Sequence, residues 1–411
     1  MSSEFPFVPG PRRISLYERM CTSLFYLILL LHPLTMAWYD AETGEGTFLP
    51  RFILLFGLMS IPLWRVYYGH WIVPTICLTI FFLCAGLVDF VRLGRFVWEF
   101  FIPIRQALVG VYYFIVSYNL IRRDSKNIKY LIFTLLFEAA VSATFAALGF
   151  ASSTGEQMLS GDRIAVLGQN SNGTSQSAGR MILFALVLLG GMIRVKSLWR
   201  ILAYCAAPVC AVGMLRVASR GGMAALILTL PFLMLIARSF SKKLLYMFVI
   251  ALAGTGLIVA VLTSGVLYER IVNTVVEGDT GGREGLFWAA VEAWKQAVLF
   301  GKGLTLYRFD VAEITNGLPL MTHNGYIFPL VSAGLVGASF YFTAYIYIIR
   351  QAWLIRRIPY GNFAFLMMIS VAFIACVGNI ECSRSIFIVY GLVTGIYWQA
   401  IGRWQKNGRL M

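Results

Sequence analysis

Charge is what this 411-residue sequence has little of. Asp, Glu, Lys and Arg make up 13% of it and hydrophobic residues 59%, against about 25% charged residues in an average soluble domain. That excludes a soluble globular fold with an ordinarily wetted surface. Alternating segments of about ten residues are absent too, which excludes an outer-membrane type of β-barrel. Cysteine gives no framework. Of the seven, all but Cys382 lie inside apolar runs, the pattern of core packing and not of disulfides or a cysteine metal cluster. No internal repeat of fixed period is present. Acid is scarcer than base, 19 residues against 34. In a soluble chain this would suggest a nucleic-acid partner; here it has a topological explanation.

What is present is a series of apolar runs of about 18–22 residues, each suited to a helix across ~30 Å of hydrocarbon. Spans are expected at 21–38, 48–64, 71–88, 97–121, 128–149, 178–193, 198–215, 222–237, 244–264, 324–349, 361–379 and 384–402. The first run is kept as a span because bulky Trp38 and Tyr39 follow it where a signal peptide would have small residues. With the N-terminus cytoplasmic, well over half of the 34 basic residues fall on that side, accompanied among the 19 acids only by Glu4, Glu18 and Asp124. This positive-inside bias puts both termini in the cytoplasm and needs no nucleic acid. The expected fold is an all-α polytopic membrane protein of about twelve helices. It is a single integral membrane domain over 1–411, with an outer loop at 265–322. Within that loop "REGLFWAAVEAWKQAVLF" sets Phe287, Val291, Trp294 and Val298 on one face, as in an amphipathic helix lying at the membrane surface.

Cations are few on the outer side, so each is informative. Arg105 follows Pro103 in the fourth span, at a depth from which it can reach Glu138 of the fifth. These two are the ionisable groups expected to be deep. Arg163 lies in the loop at 150–177, and Arg180, Arg216 and Arg308 have the plain alternative of snorkelling to lipid headgroups. Arg220 and Arg283 each adjoin two glycines, Gly221 and Gly222, and Gly281 and Gly282. Glycines let backbone approach a ligand, and an arginine beside helix N-terminal amides suits phosphate or pyrophosphate. Neither stretch fits the phosphate loop of nucleotide hydrolases. His323, in "LPLMTHNGYIFPLV", falls on the same side at the start of the tenth span. It is either part of a helix cap, with Thr322 or Asn324 satisfying free amides, or a base poised near neutral pH. His32 and His70 read as structural.

"ASRGG" at 218–222, "GGRE" through "GKG" at 281–303 and "THNGYI" through "AGLVG" at 322–337 resemble the signature of the O-antigen ligase and polymerase family. "GQNSNGTSQSAG" at 168–179 resembles the family's asparagine-rich stretch but lacks its proline. The resemblance covers about residues 165–340. It implies a metal-independent glycosyltransferase of the membrane-embedded C-type, on the periplasmic face of a Gram-negative inner membrane, without a cofactor. The implied donor is a glycan on undecaprenyl pyrophosphate and the implied acceptor a sugar hydroxyl of lipid A–core. The polymerase and protein-glycosylating branches of the family stay open as alternatives. His323 is the implied base, Arg220 and Arg283 the pyrophosphate ligands with Arg163 as a third, and Asn324, Arg105 and Glu381 are supporting candidates.

Two further readings compete. A flippase of lipid-linked saccharides would place polar groups near the midplane in broken helices, whereas most candidates here gather on one face. The acidic first outer loop, with Asp40, Glu42 and Glu45, has the residue types of a magnesium or manganese site. Against a metal stands the charge that the arginines already supply.

Overall fold

The computed structural model describes residues 16–35, 71–95, 97–149, 171–217, 219–263, 268, 272, 283–378 and 383–407. The expected span 48–64, the acidic residues Asp40, Glu42 and Glu45, and the candidates Arg163 and Glu381 lie outside them. Every regular element among the described residues is helical. The helices are α1 (Leu16–Thr35), α2 (Ile72–Leu93), α3 (Trp98–Arg123), α4 (Lys126–Ala147), α5 (Ser171–Leu189), α6 (Ser197–Val217), α7 (Arg220–Thr229), α8 (Leu233–Ile236) and α9 (Phe240–Thr263). They continue with α10 (Arg283–Lys295), α11 (Tyr307–Thr315), α12 (Ile327–Ile355), α13 (Gly361–Ile374) and α14 (Arg384–Asn407). Each expected span other than 48–64 coincides with one of these or with the α7–α8 pair.

Six helical stretches among the described residues are long and apolar enough to cross a membrane: Ile72–Leu93, Pro103–Arg123, Lys126–Ala147, Ser197–Val217, Ile327–Ile355 and Arg384–Gly402. Gly173–Leu189, Arg220–Ile236 and Gly361–Ile374 are apolar but shorter. Local chemistry sets the ends. Pro74 sits in the first turn of α2, where its missing N–H leaves no helical bond unmade. The same helix stops at Gly94, which takes a left-handed conformation and returns its amide to Phe90 O. At the other end of α3, Arg122 and Arg123 complement the carbonyl end of the helix.

Packing divides the helices into two groups. α3 lies along α14 and α12 along α2, with α14 also against α12; α4, α5 and α6 form the second group. α13 joins them, touching α5 and α7 on one side and α12 and α14 on the other. Its sequence is apolar all round, and Phe363 through Met368 are almost wholly buried. That is the behaviour of a helix surrounded by protein. α6 is the opposite case, with Leu198, Ile201, Leu202 and Val212 exposed, as suits a helix facing lipid.

α10 differs from expectation. The face it buries is Leu286, Ala289, Ala290 and Ala293, pressed against α11 and α12. Phe287, Val291 and Trp294 flank this face half-buried, and Trp288 points outward. Three alanines let α10 approach its neighbours closely, so it is a docked part of the bundle. The sequence pattern identified the bulky residues but not the small face that packs.

Candidate functional site

The turn before α12 settles which residue caps the helix. Asn324 Oδ1 accepts from the amides of Tyr326, at 2.9 Å, and Ile327, at 3.1 Å. Its Nδ2 donates to Cys376 O at 3.2 Å, and the Gly325 amide donates to Ala375 O at 2.7 Å. Tyr326 adds a bond from its hydroxyl to Ala372 O. The start of α12 is thus fastened to the end of α13, and Asn324 has a structural task. This is the arrangement expected of a helix cap, with Asn324 satisfying the free amides and His323 next to it in the chain. His323 is half-buried with φ of 49°, a left-handed conformation that is uncommon for a residue with a Cβ. Neighbours fixed on both sides hold it there: Thr322 is buried, and Asn324 is bonded three ways. Strain of this kind concentrates at functional positions.

Arg220 and Arg283 are each the first residue of a helix, α7 and α10. For α7 the cap is Ser219, whose Oγ accepts from the Gly222 amide at 3.3 Å. The glycines of this turn were expected to admit a ligand. Gly222 instead admits α5, since a Cβ there would collide with the Ser175 side chain. Its amide is occupied by the cap and the glycine is explained by helix packing; Arg220 itself is half-buried. Arg105 is half-buried in α3. Glu138, the partner considered for it, acts on Arg180 and shares a small cavity with Arg384.

Contacts bring several helix starts to one end of the molecule. Ser175 of α5 meets Gly222 of α7, Arg180 Nη2 donates to Ser385 Oγ of α14 at 2.8 Å, and α12 begins against the end of α13. The positive ends of four helix dipoles therefore lie at the end of the bundle that carries Arg220, His323, Arg180 and Arg384.

The sequence reading missed the polar half of α5. Thr174, Ser175, Gln176, Ser177 and Arg180 are all buried. Arg180 does not snorkel to headgroups: it is 2% exposed and enclosed by protein. Beside it, Tyr113, Thr134, Glu138, Arg384 and Ser385 line a cavity between the two helix groups. Tyr113 Oη and Arg180 Nη1 are buried without a hydrogen-bond partner. Four consecutive buriable polar residues followed by an arginine were the available signal, because such a run cannot face hydrocarbon. Among the described residues no three His, Cys, Asp or Glu side chains gather as a metal site.

Helical architecture, apolar spans and cations at helix starts define a membrane protein with a polar site at one end of the bundle. Residues 205–342, about a third of the chain, match the family model described as O-antigen ligase. The matched residues include Arg220, Arg283 and His323, with α10, α11 and α12 as far as residue 342. No curated protein matches the chain.

Proposed function

We propose that this protein transfers O-antigen glycan from undecaprenyl pyrophosphate to a sugar hydroxyl of lipid A–core, on the periplasmic face of a Gram-negative inner membrane. The family match supports a glycosyltransferase of the O-antigen ligase or polymerase type. The observation that supports the finer reading is the left-handed conformation of His323, beside the Asn324 cap, at the bundle end that also bears Arg220. In this reading the acceptor O–H gives its proton to the His323 imidazole while its oxygen attacks the anomeric carbon. The bond from that carbon to pyrophosphate breaks with inversion. Arg220 and Arg283, with Arg163 as a third, hold the departing pyrophosphate, whose charge grows as the bond lengthens. Their planar forks suit it better than lysine would. Twelve spans, both termini in the cytoplasm, 265–322 in the periplasm and independence from metal belong to the same proposal, as does a supporting role for Arg105 and Glu381.

The test is transfer by purified protein between the two lipids. His323→Ala is expected to lower the rate by about 100- to 10,000-fold, the usual contribution of a positioned base, with donor binding retained. His323→Gln, which keeps a polar side chain but offers no proton acceptor at neutral pH, should fail equally. A fully active glutamine variant would sink the assignment. The same assay in excess EDTA should proceed, and activity restored only by manganese would move the pyrophosphate site to Asp40 and Glu42. A lengthened lipid-linked glycan as product would identify a polymerase instead.

A further inference from the structure

Between Arg283 and His323 the chain is fastened first at a break in α12 and then to α2. Gly334 has φ of 60° and ψ of −167° inside that helix, so the helical ladder stops there and leaves backbone groups of Val331, Ser332, Leu335 and Val336 without their usual partners. Residues 298–303, which follow α10, lie across the gap and take all four. Lys302 N donates to Val331 O at 2.7 Å and Gly303 N to Ser332 O at 2.9 Å. In return Leu335 N donates to Val298 O at 2.8 Å and Val336 N to Leu299 O at 3.1 Å. A Cβ at Gly334 would run into the Leu299 carbonyl.

The next amides go to α2. Leu304 N donates to Ala85 O at 3.2 Å, and the two oxygens of Asp89 accept from Thr305 N at 2.9 Å and Leu306 N at 3.0 Å. Asp89 thereby holds the free amides just ahead of α11. It is 2% exposed, so no substrate reaches it. Gly303, with φ of 96°, lies so close that a Cβ would strike its carboxylate. Arg92 closes the clasp with a forked bond to Asp310 of α11, at 2.7 and 3.0 Å, and Lys302 Nζ adds a contact at 3.4 Å.

We infer that Asp89 is a positioning residue for the transfer site, acting through this clasp; the inference rests on the function proposed above. α10, which starts with Arg283, leads into the clasped segment. α11, whose preceding residues 305 and 306 Asp89 holds, is followed by the turn to His323. The break also makes the first turns of α12, which follow His323, a unit separate from the long remainder of the helix. One buried carboxylate thus sets the register of both candidate side chains against α2 and α12.

Hydrogen exchange and transfer kinetics on the full-length protein test this together. Asp89→Leu removes both acceptors, whereas Asp89→Asn keeps one and retains the shape, so it serves if the leucine variant does not fold. Amides 302–306 should lose protection in Asp89→Asn while the rest of α2 and α12 keeps theirs. The transfer turnover number should fall by about ten- to a hundredfold, the scale of a misplaced catalytic group. The pH profile should keep its midpoint, because the base itself is intact. Lost protection with unchanged turnover would overturn the inference, and so would slowed turnover with the clasp still protected. If the wild-type protein transfers no glycan, the proposed function fails and this role of Asp89 fails with it. The exchange data then report separately whether Asp89 holds the clasp.

Discussion

Around Gly334 a broken helix exposes four backbone groups, and each has a partner between 2.7 and 3.1 Å away. Along the first half of α5 the helix is intact, yet Thr174 Oγ1, Ser175 Oγ, Gln176 Nε2 and Arg180 Nη1 are buried without one. Both regions adjoin the end of the molecule that carries the candidate site. The first, with Asp89, Arg92 and Asp310 around it, is built as a scaffold in which groups satisfy one another. The second keeps hydrogen-bonding capacity unspent inside the protein. Buried polar groups normally find partners, and those that do not call for water, a ligand or a functional explanation. The clasp therefore accounts for its own sequence, "GKG" and "AGLVG", by internal geometry, whereas the polar half of α5 does not.

The largest effect that separates them is expected at Arg180. Removing it takes one cation from the surroundings of Glu138, which is 9% exposed and lines a cavity with Arg384. Arg180→Ala should cost about 3 kcal/mol in reversible unfolding from detergent. The double variant with Glu138→Ala should recover part of that loss, because the carboxylate that lost a neighbouring cation goes too. A single variant as stable as wild type would mean that the two charges are not coupled.

Gly334→Ala comes next. Alanine would have to take a left-handed conformation and place its Cβ against Leu299 backbone, a strain of about 2–3 kcal/mol. The loss should appear as lowered protection of 298–303, with the rest of α12 little changed. Equal loss of protection throughout α12 would show that the clasp is not a local unit.

What could be read from the sequence follows the same division. Apolar length is a property of consecutive residues, so the helices coincide with the expected spans wherever the structure describes them. The cations of helix starts were legible for a similar reason: Arg220 and Arg283 sit beside glycines that interrupt apolar runs. What was not legible is which side of a helix meets which neighbour. Asp89 is one acid in an otherwise apolar run, and its partners, Thr305 and Leu306, lie more than two hundred residues away. Arg180 was visible, but the depth of a residue along a span says nothing about whether it faces lipid or protein. For α10 the bulky residues drew the face, while the alanines that pack carry almost no periodic signal.

The smallest expected effect is the most informative about the polar half of α5. Thr174→Val keeps the shape of a fully buried side chain and removes a hydroxyl without a partner. If the interior there is dry, nothing is lost, since the group was already unsatisfied, and stability should change by less than about 0.5 kcal/mol or rise. If ordered water fills the gap, the hydroxyl belongs to a bonded network, and its removal should cost about 1–2 kcal/mol. We expect the second outcome, because Gln176 Nε2 and Arg180 Nη1 share the deficit on the same helix. One orphaned atom can be tolerated as strain, but several within two turns need a common partner. Thermal unfolding of Thr174→Val against the wild type supplies the measurement: the valine variant should be the less stable of the two. Stability equal to or above that of the wild type would mean that this half of α5 is dry.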